Sequence, residues 1–298
     1  MLLIANRFSR TYAHTGLLAL LAILLASCAA VPSSYRAPIN EGSSGSGSSV
    51  ATRDRAASPV LQRLADEAEA LQPLAKSQLT QRFLDATRAL PQVSTRTVYI
   101  NEMTREYFSA AEKAALPAAA QTKLAEVQLD EYRYYYTKYG SPLAYVRALD
   151  LAASNGIGDV TGKRILDFGY GGIGHLRLLA SLGAHVTGID PDSYLDALYS
   201  ASRDQGAVPP VTGRRGHPGT VALAHGYWPK EAKMVERVGQ GYDLILSKNT
   251  LKKGYIKPER KIDKRQQINL GVSDEVFLKA LHDTLKPGGR LIIYNIYP

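Results

Sequence analysis

Arg164-Ile165-Leu166-Asp167-Phe168-Gly169-Tyr170-Gly171-Gly172-Ile173-Gly174 is the stretch that decides the fold. Its first half reads as a buried strand, its glycines as a turn, and the residues after Gly172 as the start of a helix. A second strand then ends on Asp190. Glycine lets a backbone come close to a ligand, and the first turn of a helix offers it free N–H groups. A carboxylate at the tip of the second strand suits the hydroxyls of a ribose. The pattern predicts a site for a nucleoside-bearing cofactor.

The same alternation continues on both sides. Strands are expected at 164–168, 184–189, 220–224, 242–247 and 290–296, with helices at 173–182, 193–202 and 229–238. Ser273 is placed to cap a further helix ending near Leu285. Upstream, Ser141-Pro142 supplies an N-cap and a first-turn proline for a helix to about Ser154, with Gly156 beyond its end. Such alternation predicts an α/β, Rossmann-like open parallel sheet with helices on both faces. Residues 203–219 read as a loop and 248–272 as a long insert.

The identity of the cofactor turns on Asp167. Gly169, Gly171 and Gly174 satisfy the dinucleotide fingerprint, with Asp190 near the expected distance. Yet a carboxylate two residues before the first glycine has the wrong sign for a pyrophosphate. It suits an amino-bearing or cationic ligand, and S-adenosylmethionine carries both a sulfonium and an ammonium.

Three segments resemble the class I S-adenosylmethionine-dependent methyltransferases. They are Ile165-Leu166-Asp167-Phe168-Gly169-Tyr170-Gly171-Gly172, Gly241-Tyr242-Asp243-Leu244-Ile245-Leu246-Ser247 and Leu285-Lys286-Pro287-Gly288-Gly289-Arg290-Leu291-Ile292-Ile293. Order and spacing agree over about residues 140–298. The resemblance implies S-adenosylmethionine as cofactor. It implies that Asp167, Gly169, Gly171 and Gly172 hold its methionine part and that Asp190 holds the ribose. Gly226 and Tyr227 are counted with the cofactor site, where Tyr227 or Trp228 would stack on the adenine or else pack as core or surface aromatics. The chain departs from the family pattern at Ile173, where a glycine is usual, and at Ala224-His225-Gly226-Tyr227-Trp228-Pro229, where Gly-Asp is frequent. Ser247-Lys248-Asn249-Thr250 replaces the Asn-Pro-Pro-Tyr of many N-methylating members. The family also ends in a strand hairpin that this sequence does not show, so the strand at 290–296 is expected to be a bare edge unless further chain, the N-terminal helices or a partner covers it.

Lys248 and Asn249 are candidates for orienting a methyl acceptor, and His175 for a general base; packing at the helix start is the plainer role for His175. His225 has the same two readings. The insert carries Lys252, Lys253, Lys257, Arg260, Lys261, Lys264 and Arg265 against Glu259 and Asp263. It suits a small-molecule or anionic acceptor, or simply a solvated loop.

At the amino end, Arg7 and Arg10 precede an apolar run from Leu17 to Ala26 that is shorter than the ~20 residues needed to span a bilayer. Leu25-Ala26-Ser27-Cys28 resembles the bacterial lipoprotein cleavage box, and Cys28 is the chain's one cysteine. Residues 1–27 are therefore expected to be a lipoprotein signal, with Cys28 lipidated and the protein exported to face the periplasm or cell surface. The formal charge is +9, and the two arginines of the leader leave +7 without it. That balance suits an anionic membrane surface, and no motif points to specific nucleic-acid recognition.

Residues 28–58, with Gly42-Ser43-Ser44-Gly45-Ser46-Gly47, read as a flexible linker. Residues 59–140 read as a helical extension: one helix on Leu61, Leu64, Ala68 and Leu71, a second on Leu79, Phe83 and Leu84, a third within 99–116 and a fourth over 118–139. The tyrosines of the fourth (132, 134, 135, 136 and 139) would roof the cofactor pocket or pack as core. Residues 141–298 form the methyltransferase-like domain. Two other functions fit the sequence: a catalytically silent surface lipoprotein that uses the fold as a binding scaffold, and an NAD-linked oxidoreductase.

Overall fold

Ile165, Leu166, Asp167 and Phe168 are all buried, as are Tyr242 to Ser247. Near-continuous burial along a strand means that both faces of the sheet are covered, as in a parallel α/β sheet. The computed structural model describes residues 2–4, 58–211, 218–262 and 267–296. Strand β1 (Leu2–Ile4) is followed by helices α1 (Pro59–Leu71) and α2 (Gln78–Asp85). Then come β2 (Arg96–Asn101), β3 (Tyr107–Phe108), the short helices α3 (Ala110–Ala115) and α4 (Ala118–Gln121), and β4 (Leu124–Leu129). Helices α5 (Glu131–Tyr135) and α6 (Val146–Ser154) lead into β5 (Arg164–Phe168), α7 (Gly174–Ser181), β6 (His185–Asp190) and α8 (Ser193–Leu198). The chain continues through β7 (Gly206–Val208), β8 (Gly219–His225), α9 (Ala232–Val238), β9 (Tyr242–Lys248), α10 (Lys253–Ile256), α11 (Asp274–Thr284) and β10 (Leu285–Tyr294).

The main sheet has the order β1-β10-β9-β5-β6-β8-β7. Every pairing is parallel except β7 with β8. After β5 the chain adds β6 and β8 on one side and β9 and β10 on the other. This is the doubly wound α/β arrangement anticipated from the sequence. Its winding reverses between β5 and β9, and open α/β sheets bind ligands at the carboxyl ends of such strands.

The extension is helical in its first half and mixes short helices with strands in its second. Of the helix expected within 99–116 the short α3 forms, but β2, β3 and β4 pair across 96–129 as an antiparallel sheet of order β3-β2-β4. Val98 and Ile100 are buried while Thr97 is exposed and Tyr99 half-buried, a period of two that outweighs the helical look of the composition. Of the fourth expected helix only the short α4 and α5 remain. The loop expected at 203–219 contains β7, which pairs with the outer edge of β8. Strand β10 starts at Leu285, earlier than expected, with a register shift before Arg290 across Lys286-Pro287-Gly288-Gly289. It is not a bare edge either, because Leu2, Leu3 and Ile4 pair with Leu291, Ile292 and Ile293.

The extension shares a core with the α/β part. Leu64, Leu79 and Phe83 belong to one buried cluster with Leu149, Leu178 and Leu198. Polar ties reinforce it. Buried Asp150 on α6 accepts the amides of Lys76 and Ser77 (3.0 Å each) and the Thr80 hydroxyl (2.8 Å) at the start of α2. Arg96 on β2 makes a two-pronged 2.8 Å pair with Asp204.

Candidate functional site

The turn after β5 is shaped by its glycines. Gly169 and Gly171 have φ of +75° and +60°, where a side chain is strained. The Gly169 amide donates to Ile189 O at 2.8 Å, which sets the turn beside the end of β6. There Asp190 is the last residue of the strand and is buried. Its Oδ2 accepts the Gly171 amide at 3.3 Å and its Oδ1 the Asp192 amide at 3.1 Å. Burial pushes its carboxyl up to about 6, with Asp192 adding to the rise. Gly172 comes next in the turn, packed against Thr137.

Asp167 is fully buried at the carboxyl end of β5. Its Oδ2 accepts two hydrogen bonds, from the Tyr145 hydroxyl at 2.6 Å and from His175 Nε2 at 2.5 Å. Its Oδ1 is buried and meets no donor among the described residues. Tyr145 and His175 stack, with ring centroids 3.7 Å apart and planes within 10°. Lys248, at the carboxyl end of β9, holds its ammonium 5.3 Å from the centroid of the Tyr145 ring. Burial, and then Lys248, push His175 down, so it sits neutral against Asp167 even though that carboxylate pulls the other way.

Of the residues singled out in the sequence, Asp167, Gly169, Gly171, Gly172, Asp190, His175 and Lys248 meet in one place. Asn249 does not join them. It takes φ +59°, its amide donates to Tyr294 O, and its Oδ1 accepts the Ile296 amide, so it fastens β10 to β9. Gly226 lies next to the site through its amide, 3.3 Å from Asp190 O, whereas Tyr227 projects with nearly half its surface exposed. His225 links the Tyr170 hydroxyl (2.8 Å) to Asp196 (2.6 Å). Cys28, Lys264 and Arg265 lie outside the described residues. In the basic insert, Lys253 pairs with Glu259 and Lys257 with Asp274.

Two participants, Tyr145 and Thr250, were not singled out as site residues in the sequence, and a third, Tyr139, belongs to the tyrosine cluster considered there as a roof. Tyr145 looked like one more aromatic on a helix, and only its closeness to Asp167 gives it a role. Tyr139 covers the turn: a Cβ built on Gly171 would lie 2.8–3.2 Å from its side chain. Its hydroxyl donates to Asp192 Oδ2 at 2.6 Å, beside the Lys138–Asp192 pair at 2.7 Å. Thr250 presses harder on Gly169, its Oγ1 overlapping the place such a Cβ would take. The other tyrosines of the cluster mainly pack: Tyr134 and Tyr135 are buried, bonded to Asp204 and Pro91 O.

An S-adenosylmethionine-like ligand fits this donor set. The unpartnered Oδ1 of Asp167 matches an ammonium, and Asp190 at the next strand end matches ribose hydroxyls.

No protein-family model matches the chain, and no curated protein matches it in sequence. Solved structures do. A methyltransferase of Thiobacillus denitrificans, in complex with S-adenosyl-L-homocysteine, is 16% identical over 49% of this chain and 47% of its own, with a TM-score of 0.26. A methyltransferase of Agrobacterium tumefaciens is 18% identical over 51% and 44%, with a TM-score of 0.29. A TehB-like methyltransferase of Corynebacterium glutamicum is 19% identical over 51% and 71%, with a TM-score of 0.27. The chain spans about half the length of the first two.

Proposed function

We propose that the α/β part of this chain is an S-adenosylmethionine-dependent methyltransferase. The observation that carries the reading is the pair of buried carboxylates, Asp167 and Asp190, at the ends of adjacent strands on either side of a turn with two left-handed glycines. Bound there, S-adenosylmethionine supplies an electrophilic methyl group. Asp190 accepts hydrogen bonds from the ribose, Asp167 balances the ammonium, and the turn amides approach the ligand backbone-first. Gly226 and Tyr227 lie on the adenine side. Lys248 and Thr250, at the end of β9, face the acceptor, a small or anionic molecule. The protein's contribution is then mainly positioning and exclusion of water, with no protein nucleophile required. Calorimetry of the full chain with S-adenosylhomocysteine and with NAD tests the reading. Tighter binding of S-adenosylhomocysteine is expected; tighter binding of NAD overturns it in favour of an oxidoreductase.

One observation favours a second reading, a silent scaffold: Tyr139 and Thr250 already fill the space against Gly171 and Gly169. If the wild type and Tyr139→Ala both ignore S-adenosylhomocysteine, the scaffold stands.

We also propose that Cys28 carries a lipid that anchors the protein to a bacterial membrane, facing the periplasm or cell surface. The apolar run and the Leu-Ala-Ser-Cys box support this. Processing there would remove β1 together with the leader. Cys28→Ser should shift the mass and abolish membrane retention; retention with unchanged mass would speak against lipidation.

A further inference from the structure

Asp167 is held lopsidedly. Tyr145 and His175 come from different helical segments, yet both bond Oδ2 and leave Oδ1 without a donor among the described residues. A buried carboxylate oxygen with no partner is costly, because it keeps the full desolvation penalty of the group. Two donors packed ring on ring fix the carboxylate's rotation, so that oxygen cannot turn to find another partner. We propose that Tyr145 and His175 are positioning residues that clamp Asp167 by one oxygen and present the other to the ammonium of an amino-acid-bearing nucleoside. This rests on the methyltransferase reading and deepens it: the clamp selects ligands with the amino-acid tail over the same nucleoside without it.

The charges agree. The groups facing His175 are Asp167, the stacked Tyr145 and Lys248. Burial and Lys248 hold the imidazole neutral, and burial next to Asp167 raises the Tyr145 phenol well above its usual range. Both are therefore neutral donors to the Asp167 carboxylate. A protonated His175 would set a positive charge beside that carboxylate and weaken its attraction for an ammonium.

The test compares two ligands on the full chain. S-adenosylhomocysteine carries the ammonium; 5′-methylthioadenosine has the same nucleoside and thioether but no amino-acid tail. The wild type should prefer S-adenosylhomocysteine. Tyr145→Phe and His175→Leu should each weaken it by roughly tenfold or more, the loss of one charge-assisted contact, while leaving methylthioadenosine within about twofold. His175→Gln, whose amide still donates, should restore most of the preference. Equal weakening of both ligands, or of neither, overturns the clamp, because a merely structural role does not distinguish them. A wild type that binds both equally overturns the clamp but keeps the nucleoside site. A wild type that binds neither overturns the methyltransferase reading and the clamp with it.

Discussion

The Tyr139 hydroxyl donates to Asp192 Oδ2 at 2.6 Å, and this bond ties down an aromatic ring that lies over Gly171. Asp192 also caps α8 by accepting the Tyr194 amide at 3.1 Å. The cover is therefore tied to a helix start on the rim of the site.

If the ring must leave for a ligand to enter, its tie to Asp192 opposes binding. A hydrogen bond to a charged acceptor is worth about 1.5–3 kcal/mol when protected, and less at a solvent-exposed position such as this one. Tyr139→Phe should therefore tighten S-adenosylhomocysteine by a few-fold, up to about tenfold, and speed its association. Stopped-flow fluorescence with calorimetry reads both. Weaker binding in the variant would mean that the phenol contacts the ligand instead of blocking it.

Asp190 yields a prediction with a sign. Its carboxyl sits at about 6, above the usual range, so the folded protein binds this proton better than the unfolded chain. The stability it contributes is present below about pH 4 and lost as pH rises through about 6, on the order of 3 kcal/mol in total. Asp190→Asn should therefore raise the melting temperature at pH 7 and change it little at pH 4. The same variant should lose ligand affinity by about ten- to a hundredfold, since the ribose needs the carboxylate. In the wild type, affinity should fall as pH drops below about 6. Asp192→Ala should instead cost about 1 kcal/mol of stability through its lost cap. An Asp190→Asn protein that is less stable at pH 7 would show that the carboxylate holds the turn together.

Gly169 is constrained twice, by φ +75° and by Thr250 Oγ1, which occupies the place where a Cβ would sit. Gly169→Ala should cost about 1–3 kcal/mol from backbone strain alone, with the clash added. Urea denaturation of Gly169→Ala and of Gly169→Ala/Thr250→Gly separates the two. The double variant should recover the clash and keep the strain. Full recovery would mean that the turn can relax away from its left-handed shape.

The strands that build the site were legible because each is a short apolar run closed by a turn signal, as at Ile165–Gly169 and Tyr242–Ser247. Asp167 and Asp190 could be read from their places at strand ends. What escaped depends on long-range contact. Tyr145 meets Asp167 across 22 residues and Tyr139 meets Asp192 across 53, and no local pattern encodes such meetings. Residues 96–129 were half legible for another reason. Their alanine-rich runs do form the helices α3 and α4, but the alternation around Val98 and Ile100 makes the stretches on either side pair as strands once a core lies beneath. Asn249 was misread because a polar residue at a strand end looks catalytic, whereas its positive φ and its bonds to β10 are those of a corner.

One of the polar ties between the two parts of the sequence is the pair of Arg96 with Asp204. Asp204 is 1% exposed, and it also accepts the Tyr134 hydroxyl at 2.9 Å and the Ala201 amide at 3.1 Å. Removing one member of a buried, hydrogen-bonded charge pair strands the other, at about 3–5 kcal/mol. Asp204→Ala should cost that much in urea denaturation. Arg96→Met/Asp204→Leu should recover a good part of it, because no lone charge remains. The transition should stay single in every variant, since Leu64, Phe83, Leu149 and Leu178 share one core. Two separate transitions in Asp204→Ala, with ligand protecting only the second, would show instead that residues 59–140 unfold as an independent unit and that the Arg96–Asp204 pair, not the shared core, is what couples them.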